Sequence, residues 1–168
     1  DRIDCQDYSA IAIDNSTAMI DRLQTKLKSL PQFASKIECR CEDLCDSEIA
    51  DASVVVLNFT LQFIPLAERV PLLRKIYAGM KPGGVLIISE KITFPDEKLN
   101  QLFIEMYHSF KENRGYSKLE ISQKRAALEK VLLPETLDAH RDRLQKIGFQ
   151  SVDVWFQCFN FASMVAFK

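Results

Sequence analysis

Residues 53–63, SVVVLNFTLQF, carry the most informative hydropathy pattern in the chain. Val54, Val55, Val56 and Leu57 run without a polar break, as a strand covered on both faces does, and this is the habit of buried parallel strands. Asn58 follows at the carboxyl end, where open parallel sheets place their ligands, and Thr60 and Gln62 then alternate with Phe59, Leu61 and Phe63. The pattern predicts the floor and polar rim of a small-molecule site.

The same grammar repeats on either side. Residues 8–13 form an apolar stretch ending at Asp14, and Asn15, Ser16 and Thr17 offer helix caps before Met19, Ile20, Leu23, Leu27 and Leu30 recur at helical spacing up to Pro31. Residues 36–41 alternate as a strand with Ile37, Cys39 and Cys41 on one side, and Glu42 and Asp43 follow. Leu66, Val70, Leu73, Tyr77 and Met80 predict a helix in which Pro71 is tolerable only within the first turn. Lys81-Pro82-Gly83-Gly84 reads as a turn and residues 85–89 as another continuous apolar strand ending in Ser89, Glu90 and Lys91.

Beyond that strand, Leu99, Leu102, Phe103, Met106 and Phe110 mark an amphipathic helix whose stripe is expected in the core. A second helix over 117–132 sets Ile121, Leu128 and Leu132 in line, with Arg125 about 40° from Ile121 around the axis. A guanidinium leaving on a packed side requires an anionic partner, through either a structural ion pair or a bound anion. A third helix over 134–148 turns Leu137, Leu144 and Ile147 inward and stops at Gly148. Two alternating segments, Val152, Val154 and Phe156 and then residues 162–167, predict a terminal antiparallel hairpin. The order predicts an α/β fold: a Rossmann-like, doubly wound, mostly parallel sheet with a C-terminal antiparallel hairpin, in one domain over 1–168.

Composition narrows the function classes. At 168 residues, with 47% hydrophobic and 27% charged residues, the chain is long enough for one well-buried core. No apolar run approaches the roughly 18 residues of a membrane span, so no membrane partner and a cytoplasmic location are expected. A formal net charge of −1 without a basic cluster gives no reason to expect direct nucleic-acid binding. Cys5, Cys39, Cys41, Cys45 and Cys158 are odd in number and scattered, which suits reduced thiols, and their spacing lacks the second pair or histidine of a metal site. No metal is expected.

The chemistry lies at the strand tips. Carboxylates at Asp14 and Asp43 and the amide of Asn58 end three successive strands, an arrangement suited to ribose hydroxyls and an adenine amino group. Taken singly, Asp14 is a helix cap and Asp43 a turn residue; their repetition favours nucleoside binding. None of the five glycines forms a GxGxxG loop. His108 and His140 fall in helical segments with no nucleophile or ligand pattern, so surface or core roles are expected of them.

The succession AIDNSTAMI, CEDLCD, VVLNFTLQF and KPGGVLIISE resembles the middle motifs of the class I S-adenosylmethionine-dependent methyltransferase fold. LNFTLQF, HSFKENRGYSKLEISQKR and WFQCFNF are similar, more narrowly, to the carboxy-S-adenosylmethionine synthase family. The resemblance implies a fold whose first strand, helix and glycine loop precede residue 1. It implies Asp14 and Asn15 as the ribose-binding pair, Asp43 and Leu44 as the adenine-side pair, Asn58 as a cofactor contact and Arg125 as the carboxylate-binding, catalytic residue.

The implied reaction takes S-adenosyl-L-methionine and prephenate to carboxy-S-adenosyl-L-methionine and phenylpyruvate, for wobble-uridine modification of tRNA, in a homodimer or higher homo-oligomer. An ordinary methyltransferase would use the same Asp14, Asp43 and Asn58 and give Arg125 no special duty. A non-catalytic Rossmann-like dimerisation module would bind no nucleoside.

Overall fold

A computed structural model describes residues 7–129 and 131–168, so Cys5 lies outside the described residues. The chain divides into two compact units, Asp1–Glu48 and Ile49–Lys168. In the first, β1 (Ala10–Asp14) and β2 (Ile37–Cys41) pair in parallel, joined through α1 (Thr17–Lys28) and the short α2 (Pro31–Ala34). Ile20 and Leu27 of α1 are buried, as the seven-residue spacing requires. Pro31 does not merely close the first helix. It opens the second at its first position, where the missing N–H costs nothing.

In the second unit the strands run in the order β3-β4-β6-β5. β3 (Ala52–Asn58) and β4 (Met80–Lys91) are parallel and connected by a 3-10 turn (Leu61–Phe63) and α3 (Leu66–Gly79). β6 (Phe161–Phe167) is antiparallel to both β4 and β5 (Gln150–Cys158), giving the expected hairpin. Between the parallel pair and the hairpin come α4 (Glu97–Asn113), α5 (Lys118–Glu129) and α6 (Leu137–Ile147). The core gathers Leu57, Leu61, Leu73, Ile76, Leu86, Ile88, Leu144 and Met164.

Local signals explain the helix limits. Asp96 accepts from the Leu99 N–H at 2.7 Å to cap α4, and Thr136 accepts from Ala139 N–H at 3.2 Å to cap α6. Ser117 and Glu120 form a reciprocal capping box before α5, the Ser117 N–H donating to the carboxylate at 2.8 Å and the Glu120 N–H to the hydroxyl at 3.2 Å. Gly148 ends α6 at φ 124°, a conformation that a side chain resists.

Several expectations need correction. β3 is an edge strand of its sheet, and Val54 and Val56 are each 57% exposed rather than covered as the apolar run predicts. The α4 stripe also faces solvent at Leu99, Leu102, Met106 and Phe110. Periodicity identifies an apolar face but not what covers it. Pro71 stands inside α3, beyond its first turn. Residues 81–84 belong to β4 as a wide irregularity, since Ala52 pairs with Met80 while Val54 pairs with Val85. In β5 two register shifts leave Trp155 and Phe156 both exposed, which simple alternation forbids.

Candidate functional site

In the first unit, Asp14 ends β1 and pairs in register with Cys41, the last residue of β2, so Asp14 and Asp43 come to the same end of the parallel pair. Each carboxylate is oriented by the turn it starts. Asp14 Oδ1 accepts from the Ser16 N–H at 2.8 Å, and Asp43 Oδ1 from the Cys45 N–H at 2.7 Å. The second oxygen of each makes no hydrogen bond among the described residues and remains available as an acceptor. Asn15 is exposed beside Asp14, and Leu44 is half-buried beside Asp43.

In the second unit, Asn58 is the last residue of β3, paired with Ser89, and its exposed side-chain amide has no hydrogen-bond partner among the described residues. Immediately after it the backbone turns through Phe59 at φ 56°, a left-handed conformation rare for an aromatic residue. The Phe59 N–H donates to the Ser89 carbonyl at 2.7 Å. Arg125 lies in α5 by its backbone, and its side chain lies outside the described residues.

The turn beyond Asn58 is held by a group that the hydropathy pattern did not single out. Glu90, fully buried, accepts three backbone N–H groups, from Thr60 at 3.1 Å, Leu61 at 2.7 Å and Gln62 at 3.1 Å. Burial pushes its carboxyl up to about 7, and these donors together with Arg69 keep it from rising further. Gln62 reciprocates, accepting from the Lys91 N–H at 3.1 Å. A signal for Glu90 was present: Leu86, Ile88 and Glu90 share one face of β4 by alternation.

Behind this turn is an ionic cluster. Arg69, also fully buried, donates to the Ile64 carbonyl at 2.9 Å and the Leu133 carbonyl at 2.7 Å and pairs with Glu135, which also pairs with Arg143. Burial pushes the Glu135 carboxyl up, but Arg143 and Arg69 outweigh it and hold the group below the usual range. His140, aligned with Leu144 on α6, is buried and pushed down to about 4 by loss of water. His140 is therefore a neutral core residue at pH 7, in keeping with the non-catalytic role expected of it.

The geometry matches methyltransferase folds. The family model described as a methyltransferase domain matches residues 3–88. An O-methyltransferase family 2 protein from Planctomyces limnophilus superposes with a TM-score of 0.65 at 16% identity, over 95% of this chain and 42% of its own. Human N-acetylserotonin methyltransferase, solved with S-adenosylmethionine, superposes with a TM-score of 0.58 at 16% identity, over 99% of this chain and 49% of its own. At such identities these similarities establish the fold alone. Sequence relatives go further. The carboxy-S-adenosyl-L-methionine synthase of Geobacter metallireducens is 56% identical over 167 residues, and that of Aliivibrio fischeri 52% over 166, each across 99% of this chain and 68% of the relative.

The chain belongs to the carboxy-S-adenosyl-L-methionine synthase family. It spans about two thirds of those relatives' length. Members of the carboxy-S-adenosyl-L-methionine synthase family are transferases, and S-adenosyl-L-methionine is the substrate on which the enzyme acts. Within the first unit the uncommitted oxygens of Asp14 and Asp43 can accept from hydroxyl or amino groups, and within the second the exposed amide of Asn58 offers a donor and an acceptor of its own.

Proposed function

We propose that the chain's synthase activity takes its carboxyl group from prephenate. Prephenate loses carbon dioxide and its ring hydroxide and becomes phenylpyruvate. The hydroxide takes a proton from the methyl carbon on sulfur, forming water, and the resulting ylide carbon bonds to the carbon dioxide. The sum is carboxy-S-adenosyl-L-methionine, phenylpyruvate and water, with no oxidant required and no protein base needed for the proton.

Family membership, with identity above 50% across 99% of the chain, is the observation that carries this reading. In it Arg125 receives the carboxyl group as it forms, since a planar guanidinium holds a carboxylate through two hydrogen bonds in a water-poor site. Asp14 and Asn15 take the ribose, Asp43 and Leu44 the adenine side, and Asn58 a further cofactor contact. The product serves wobble-uridine modification of tRNA made elsewhere in the pathway, and the formal charge of −1 supports an enzyme that does not itself grip RNA. The exposed apolar line of α4 supports a homodimer or higher homo-oligomer, and the scattered cysteines support a cytoplasmic setting.

Incubation of the full-length protein with S-adenosylmethionine and prephenate, read by mass spectrometry, is expected to give the carboxylated cofactor and phenylpyruvate together. Phenylpyruvate without carboxylated cofactor refutes the assignment. Arg125→Ala is expected to lose about ten- to a hundredfold in preference for the carboxylated over the unmodified cofactor, the value of a charge-assisted bond. Unchanged relative affinities remove Arg125 from the site.

A further inference from the structure

The helix that carries Arg125 has little hold on the fold through its own side chains. Of the described side chains of α5 only Ile121 is buried, with Leu128 half-buried, while Leu119, Ser122 and Gln123 face solvent. So small an apolar face fixes a helix weakly, and α5 takes its place from what its ends are tied to. At the far end the Val131 and Leu132 N–H groups donate back to the Leu128 carbonyl at 3.0 and 2.9 Å, so the helix leads directly into residues 131–135.

That segment is tied on two sides. The Leu133 N–H donates to the Gln62 carbonyl at 2.9 Å, joining it to the turn beyond Asn58, and the Thr93 N–H, just past β4, donates to the Glu135 carbonyl at 3.1 Å. Arg69 of α3 gathers the same pieces at one point. Its Nε donates to the Ile64 carbonyl at 2.9 Å, its Nη2 to the Leu133 carbonyl at 2.7 Å, and its Nη1 pairs with the Glu135 carboxylate. Ile64 ends the turn that follows Asn58, and Leu133 and Glu135 belong to the segment that follows α5.

Stability alone is a weak reason for a fully buried guanidinium. The cost of taking it out of water offsets much of what its ion pair returns, and an apolar side chain of like volume often serves as well. What arginine adds is direction, because donors fixed in one plane hold their acceptors at set positions. Here those acceptors lie on the two stretches of chain that lead to Asn58 and to Arg125.

We propose that Arg69 is a positioning residue: through Leu133 and Glu135 it holds the end of α5 against the turn beyond Asn58, and so sets the separation at which Asn58 and Arg125 meet the carboxylated cofactor. The inference rests on the proposed hold of Arg125 on the carboxyl group. A structural ion pair, the ordinary role of such a cluster, affects stability and makes no difference between two ligands.

Calorimetric titration of the full-length protein with S-adenosylmethionine and with its carboxylated form yields a ratio of two affinities, which the fraction of molecules folded leaves unchanged. Arg69→Met is expected to lower the preference for the carboxylated form about tenfold, the scale of a small misplacement, and Glu135→Gln to lower it less. Gly79→Ala, which loses stability through a backbone clash with Ile49 at the opposite end of α3, is expected to keep the wild-type preference. Should Arg69→Met fail to fold, Glu135→Gln decides by the same ratio. If the ratio stays at the wild-type value while Arg125→Ala lowers it, the inference is overturned and the role of Arg125 stands. A loss in Gly79→Ala as large as in Arg69→Met also overturns it, since general loosening then explains both. If Arg125→Ala itself keeps the wild-type ratio, the proposed role of Arg125 fails and Arg69 has nothing to position.

Discussion

Replacing Glu90 by Gln tests what ionisation of the buried Glu90 carboxyl does to the turn beyond Asn58. In the unfolded chain this carboxyl titrates near 4.5 and in the fold near 7. Between these values the folded protein holds the extra proton, so the contribution of Glu90 to stability falls as pH rises through the window. The full difference is about 3 kcal/mol, most of it falling between pH 5 and pH 8. His140 works in the opposite sense. Its pKa drops from 6.5 to about 4 in the fold, so the unfolded chain holds the extra proton and stability rises with pH across that interval. In the wild type the two slopes oppose each other from about pH 4.5 to 6.5 and nearly cancel.

The Gln side chain keeps one acceptor for Thr60 and Leu61 but sets an N–H donor against the Gln62 N–H, a mismatch worth about 1 to 2 kcal/mol. Glu90→Gln is therefore expected to be less stable than wild type at pH 5 and as stable or more so at pH 8, with the His140 slope exposed. Urea unfolding followed by the fluorescence of Trp155, the one tryptophan and part of the same compact unit, reads this directly. A variant destabilised equally at both pH values refutes the argument, because its loss then owes nothing to the charge.

Arg69→Ala leaves two carbonyls and part of the Glu135 carboxylate without their donor, and a loss of about 3 to 5 kcal/mol is expected in the same urea assay. Arg69→Met is expected to behave little better, since the orphaned groups are the same. Gly79→Ala sets a Cβ 2.0 Å from the Ile49 carbonyl oxygen, and because the obstacle is backbone the expected cost is about 3 kcal/mol or more, seen as a lowered Tm.

Strand tips and helix limits were legible because they rest on local rules. Apolar runs, Asx turns and caps placed Asp14, Asp43 and Asn58 at strand ends before any contact was known. The ionic cluster was not legible, since Arg69 and Glu135 stand 66 positions apart and neither breaks a pattern. Glu90 was masked by the near-continuous apolar run before it, which hid the alternation that turns it inward. Phe59 and Phe159 take left-handed conformations, and no periodicity announces those. The stripe on α4 is legible as an apolar face but lies exposed at Leu99, Leu102, Met106 and Phe110, because sequence spacing carries no information about neighbours. Bulges in β5 had the same effect on Trp155 and Phe156, reversing faces that a strict period of two would separate.

The open side of β3 also has a bearing on the chain's behaviour in concentrated solution. Among the described residues of the second unit no strand pairs with its outer edge, along a segment, SVVVLNF, that contains no charge, no proline and no glycine. Charged residues and prolines are the usual guards of such an edge, and here the nearest charge upstream is Asp51. An uncharged, β-branched stretch of this kind is a template for strand addition from a second molecule, and identical copies are the most abundant candidates. Handling this chain alone at high concentration should therefore favour sheet-rich aggregates that grow from β3, and a single lysine at Val54 or Val56 should slow them.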